Sequence, residues 1–237
     1  MYKATLICDA DVGVLASRED KHPADDLALR AWQKWREKGS SSTTCENVDM
    51  DLVDDYIRKQ TVAPFFLDFT DFIYEHNILF GVVTQRMDRI VETILRRAGL
   101  ERVPVFANHV EVEPFTIRLS FPYFNRMGCD HCSSCNLYHL SRFRRPGVPL
   151  IFVGERGADY CAARSCDLVF ARGELRARCE DEGLPCHAIA NLRDVERILA
   201  GMICQGELER LPRREEEALS PSPPAVNGGR GGSISRN

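Results

Sequence analysis

Five short apolar runs, separated by stretches of helical period, constrain this chain more than any other feature. "ATLIC" (4–8), "ILFGVVT" (78–84) and "VPLIFVG" (148–154) are nearly uninterrupted, and "VPVFAN" (103–108) and "DLVFA" (167–171) are weaker copies. Short runs without polar alternation suit strands covered on both faces, the situation of a parallel sheet. Helical periods lie between them. "PFFLDFTDFIYEHN" precedes the second run, "RMDRIVETILRRAG" follows it and ends in the glycine expected just past a helix C-terminus, and "GADYCAARS" follows the run at 148–154. The alternation predicts an α/β fold, a Rossmann-like parallel sheet flanked by helices.

Two stretches break the alternation. Residues 16–63, with "ADDLALRAWQKWREKG" and "VDMDLVDDYIRKQ", read as two amphipathic helices joined by the Ser/Thr-rich "SSSTTCEN", with no strand between them. That predicts a helical cap inserted after the first strand, over a core made of residues 1–15 and 64–205; Trp32 and Trp35 are read as cap packing. Residues 109–136 begin as a hairpin-like pair of alternating runs and end in a Cys/His cluster, an excursion from the sheet. From about Gly206 the chain turns charged and then Pro/Gly/Ser-rich, "SPSPPAVNGGRGGSISRN", so 206–237 is expected to be a disordered tail.

Composition narrows the function classes. With 237 residues the chain can bury a substantial core, and a net charge of −4 with no Lys/Arg block gives no footprint for nucleic acid. The N-terminal apolar run is interrupted by charge too early for a secretory leader, and no stretch reaches the length of a membrane span. A cytoplasmic protein that binds neither membrane nor nucleic acid is the expectation, and its ten cysteines are then mostly free thiols. Cys8, Cys161, Cys166 and Cys204 lie among apolar or small residues and read as buried. His139 and His187 read as surface residues.

In an open α/β sheet, ligands bind outside the carboxyl ends of the strands. Asp9 and Asp11 close the first run, Thr84 closes the second, and Glu155 with Asp159 follow "IFVG". Clustered carboxylates repel, and a hard divalent cation is the usual remedy. Read without that convergence, Asp9 and Asp11 are a strand-end turn, and Glu155 and Asp159 are favourable charges near a helix N-terminus.

The Asp-x-Asp at the first strand, the Thr at the second and the acidic-x-x-x-Asp motif resemble the haloacid dehalogenase superfamily of phosphotransferases. "CDHCSSCN" and "DLVFARGELRARCEDEGLPCHAI" are similar to segments of its phosphoserine phosphatase-like branch and its methionine-salvage phosphatases. The resemblance implies that Asp9 is the nucleophile that forms an aspartyl-phosphate and that Asp11 is the general acid and base. It implies that Thr84 hydrogen-bonds the phosphoryl group, and that Asp9, Asp11, Glu155 and Asp159 hold magnesium. The substrate implied is a small phosphorylated metabolite.

The motifs depart from the family at several positions. Val12 and Gly13 stand where it has Gly-Thr, Gln85 and Arg86 follow Thr84, and Glu155 replaces Asp. Asn136 stands where the family has a lysine that neutralises nucleophile and phosphate. Asn136 keeps a hydrogen-bond donor for the phosphate without the charge, and Arg86, or one of Arg142, Arg144 and Arg145, is the candidate replacement cation. These departures keep a second reading open: a non-catalytic relative that binds a phosphorylated ligand, zinc or a protein. Cys129, His131, Cys132 and Cys135 have the residue types of a zinc site, completed by Cys45, His109 or Cys186; free or redox-active thiols are the alternative.

Overall fold

The computed structural model describes residues 2–14, 42–46, 50–113, 116–128 and 131–214. Among these described residues the strands are β1 (Ala4–Asp9), β2 (Ser42–Glu46), β3 (Ile78–Met87), β4 (Val105–Glu113), β5 (Thr116–Ser120), β6 (Leu150–Gly154), β7 (Leu168–Ala171) and β8 (His187–Ala188). They form one sheet in the order β2-β5-β4-β3-β1-β6-β7-β8. Pairing is parallel from β4 through β8 and antiparallel from β4 through β5 to β2. The predicted α/β sheet flanked by helices is thus the observed architecture.

Alternate strand residues feed two cores, one on each face. Leu6 and Cys8 of β1 and Ile151 and Val153 of β6 pack with α3 (Phe66–Glu75), α4 (Asp88–Arg97) and α8 (Leu192–Cys204). Ile7, Leu150 and Phe152 face the other way, against α5 (Asn136–Phe143), α6 (Tyr160–Ala163) and α7 (Gly173–Asp181). Every residue of β1 and β6 is buried, which explains why those runs show no alternation. Phe66 and Phe69 of α3 pack on Phe80 with ring centroids 6.2 and 5.9 Å away, each burying apolar surface worth about 1.5–3 kcal/mol.

Three expectations about the periphery are corrected. Part of the helical insertion forms, as α2 (Met50–Lys59), whose last carbonyls, Ile57 O and Arg58 O, accept from Arg97 at 2.9 and 3.2 Å. Ser42–Glu46, however, read as a linker, is the edge strand β2, paired with β5; its β-branched Thr43 and Thr44 suit a pleated chain once a partner edge is present. Residues 15–41, with Trp32 and Trp35, lie outside the described residues.

The hairpin is not an excursion either. Its first strand is continuous with the run at 103–108, so β4 carries parallel pairing to β3 on into antiparallel pairing with β5 and extends the sheet. The expected tail begins too early at Gly206. α9 (Glu207–Arg210) buries Leu208 against α8, and Arg214 N donates to Asp167 Oδ1 at 2.6 Å. Asp167 has a fully buried side chain and needs donors; Leu150 N and the Arg144 guanidinium, at 2.8 and 3.6 Å, supply the rest. Residues 215–237 are outside the described set. Among the described residues no helix is long and apolar enough to cross a membrane.

Candidate active site

Strand register brings the sequence-separated polar residues to one edge. Asp9 pairs level with Val83, Cys8 with Val153, and Gly154 with Ala171. One step further along stand Thr84, within β3, and Glu155 and Arg172, just past the ends of β6 and β7, all beside Asp9 at the end of β1. Asp9 ends β1 and caps the one-turn α1 (Ala10–Gly13), its Oδ1 accepting from Asp11 N at 2.8 Å. Val12 sits buried in this helical turn without a left-handed backbone, so the branched residue is accommodated. At Gly13 an added Cβ would lie 2.9 Å from Cys8 Sγ and 3.3 Å from the Phe66 ring, so the space for a larger residue is already filled.

Thr84 is fully buried, and its Oγ1 accepts from Arg86 N at 3.1 Å. That backbone turn, where the β3–β4 register shifts, sends the Arg86 side chain back to Asp11, with Nε 2.8 Å from Oδ1. Asp159 lies in the 3₁₀ turn Gly157–Asp159 that follows β6. Its Oδ2 accepts from Arg156 N at 3.0 Å and Glu155 N at 3.3 Å, and its Oδ1 accepts from Asn136 Nδ2 at 2.9 Å. Asn136, expected at the phosphate, faces Asp159 from the first position of α5; its own Oδ1 is buried without a hydrogen-bond partner.

Two arginines complete the site that the sequence reading passed over. Arg156 places NH2 2.8 Å from Asp9 Oδ2 and 3.7 Å from Asp159 Oδ1, and Nε 3.7 Å from Asp11 Oδ2. Arg172 holds Glu155 Oε2 through Nε and NH2, both at 2.9 Å, and Asp11 O through NH2 at 3.0 Å. The available signals were local: Arg156 lies inside "GERGAD" between the two acids, and Arg172 ends an apolar run at the edge where ligands bind. Of the arginines that were singled out, Arg86 reaches the site. Arg144 pairs with Asp167 instead, and Arg145 lies over the Tyr2 ring.

Burial and charge pull the carboxylates apart. Burial pushes Asp9 up to about 7 against the pull of Arg156, with Asp159 and Asp11 adding to the rise. Burial raises Asp159 as well. For Asp11, burial works against ionisation, but Arg86 and Arg156 outweigh it and hold the group below the usual carboxylate range. The same carboxylates overcome the cost of burying Arg156 and hold its charge firmly.

The magnesium implied by the resemblance does not fit these residues as arranged. It requires several oxygens directed at one point about 2.0–2.1 Å away. Here Asp9, Asp11, Glu155, Asp159 and the Asp11 carbonyl all accept from protein donors, chiefly the three guanidinium groups. Among the described residues, no group of three or more His, Cys, Asp or Glu side chains is placed to hold a metal ion. The expected zinc cluster gains no support: His131 is exposed while Cys135 is buried as the cap of α5, and Cys129 is outside the described residues. His109 is instead 2.5 Å from Asp88.

Three smaller expectations are corrected. His139 is buried, not on the surface: its Nε2 is 3.1 Å from Ser134 Oγ, its ring packs on Phe106 and Tyr123, and burial pushes its pKa down to about 4. Cys204, the last residue of α8, is exposed and Cys161 is half-buried, whereas Cys8 and Cys166 are buried as expected.

No protein-family model matches the chain. Over 143 residues it is 28% identical to a 2-hydroxy-3-keto-5-methylthiopentenyl-1-phosphate phosphatase of Exiguobacterium sp., covering 60% of this chain and 66% of that protein. Over 147 residues it is 31% identical to the bifunctional enzyme MtnB/MtnX of Bacillus licheniformis, covering 61% of this chain and 34% of that one. The chain thus spans just under two thirds of the first relative and about a third of the second. A phosphoserine phosphatase structure holding a phospho-aspartyl intermediate analogue superposes with a TM-score of 0.57 at 13% identity, over 84% of this chain and 99% of that one. Cytosolic 5'-nucleotidase IIIB bound to cytidine superposes at 0.52 and 14% identity, over 89% and 88%.

Proposed function

We infer that this chain, which belongs by fold to the haloacid dehalogenase superfamily, hydrolyses phosphomonoesters of a small metabolite at the edge formed by β1, β3 and β6. The observation that carries the reading is the convergence of Asp9, Asp11, Thr84 and Asp159 from three segments on one buried site. The fold shared with phosphatases and the named sequence relatives support it.

In this reading Asp9 attacks phosphorus. The ester bond breaks, an aspartyl-phosphate forms, and the alcohol oxygen leaves with a proton; water then attacks the intermediate and releases phosphate. Asp11 is the proton-handling group. Arg86 keeps it ionised, as suits the base that accepts a proton from water, and an incoming phosphoryl dianion raises its proton affinity for the acid half. Thr84 offers a hydroxyl beside the nucleophile. Phosphoryl transfer consists mostly of positioning and charge neutralisation, and Arg86, Arg156 and Arg172 bring positive charge to this edge. Superfamily phosphatases generally use magnesium, but because these carboxylates are already engaged we assign no step to it.

The test is phosphate release from a panel of small phosphomonoesters, with magnesium and with EDTA, by the wild type and Asp9→Asn. Turnover lost in the variant by about 10³-fold or more supports the aspartyl-phosphate route. A folded wild type that is inert across the panel favours the second reading, a non-catalytic binder of phosphorylated ligands. The contact that favours this alternative is Arg156 on Asp9 Oδ2, an ion pair that occupies one of the two carboxylate oxygens.

A further inference from the structure

We propose that Arg156 is the resident cation of this site, occupying the position among Asp9, Asp11 and Asp159 that a divalent metal ion would need. The functional meaning rests on the phosphatase reading above, but the geometry does not. Four carboxylates, Asp9, Asp11, Glu155 and Asp159, gather at one sheet edge, and three guanidinium groups, those of Arg86, Arg156 and Arg172, meet them. Buried carboxylates that repel one another demand a counter-charge. Among the described residues these guanidinium groups bring it covalently.

Arg156 is the only one of the three that touches carboxylates from all the converging segments. Its guanidinium contacts Asp9 at the end of β1, Asp11 in α1 and Asp159 after β6, while its own backbone N–H donates to Asp159 Oδ2. A planar guanidinium and a metal ion cannot share those oxygens: the ion would have to break the 2.8 Å bond to Asp9 and would then face the displaced positive charge. Arg172 closes the remaining route. It draws Glu155 to itself and takes the Asp11 carbonyl. Glu155 is hemmed in from behind as well, since a Cβ on Gly173 would lie 3.1 Å from its Cγ.

The Arg156 Nε is buried on the Asp11 side, 3.7 Å from Oδ2, while the side chain as a whole is 30% exposed. A phosphoryl oxygen arriving beside Asp9 would meet the positive charge of a guanidinium, a group suited to phosphate by its forked geometry.

Manganese(II) titration followed by electron paramagnetic resonance tests the inference without any turnover, so that its failure and that of the phosphatase reading are read separately. The full chain should show no more saturable loss of the free-ion signal than Asp159→Asn does. Arg156→Gly and Arg156→Gln should each create one saturable site at least about tenfold tighter, and Arg156→Gly combined with Asp159→Asn should lose it. Saturable binding by the wild type that Asp159→Asn abolishes overturns the proposal, and this comparison decides the matter even where neither Arg156 variant folds. Folded Arg156 variants that bind no more tightly than the wild type overturn it too.

Discussion

Asp9 is accommodated only because its neighbours divide the work of stabilising it: Asp11 N binds one oxygen and Arg156 the other. Burial nevertheless leaves its proton affinity high, near 7, and the sign of the consequence follows. In the proposed reaction Asp9 must be ionised to attack, so phosphate release should be low below that value and rise as pH increases through it; a kcat/KM profile measured from pH 5 to 9 checks this. A flat profile would remove Asp9 from the rate equation. Asn136 makes a different prediction. Its amide is a donor to the buried Asp159, so Asn136→Ala should cost about 1.5–3 kcal/mol in urea denaturation, the range for hydrogen bonds to charged groups. A loss within error of zero would show that Glu155 N and Arg156 N suffice for that carboxylate.

Strand ends, more than whole strands, decide where the chemistry sits. The apolar run "DLVFA" was legible as a strand, and the structure ends β7 at Ala171, so Arg172 emerges level with Glu155. The chain must then turn sharply into α7, and Gly173 does so at φ +53°, against Glu155. A side chain there is strained twice, by backbone and by contact. Gly173→Ala should therefore destabilise the fold by about 1–3 kcal/mol, measured as a shift in the urea midpoint. β2 shows the opposite limit of local reading. "STTCE" carries β-branched residues but becomes a strand only by pairing with β5, seventy or more positions away, and no short window of sequence contains that partner.

At the scale of the whole molecule, a segment that looks like the start of a tail is part of the fold. Leu208 is 1% exposed, and Arg214 reaches the buried Asp167 that also supports the start of β6. Truncation after Gly206 should lower stability by about 1.5–3 kcal/mol from the lost Leu burial alone, read by thermal or urea melting against the full chain. An unchanged midpoint would show that α9 docks without contributing. Hydrophobic period and strand-edge position are local properties, so the sequence by itself determined the parallel α/β core, the order of its main elements, and which polar residues from Asp9 to Asp159 gather at the strand ends. Counter-charge is a property of three-dimensional proximity. Asp9 and Arg156 stand 147 positions apart and Arg172 lies further on still, so only the folded sheet could decide that guanidinium groups fill the acidic site. Coulomb attraction acts between groups a few ångströms apart in space, whatever their separation along the chain.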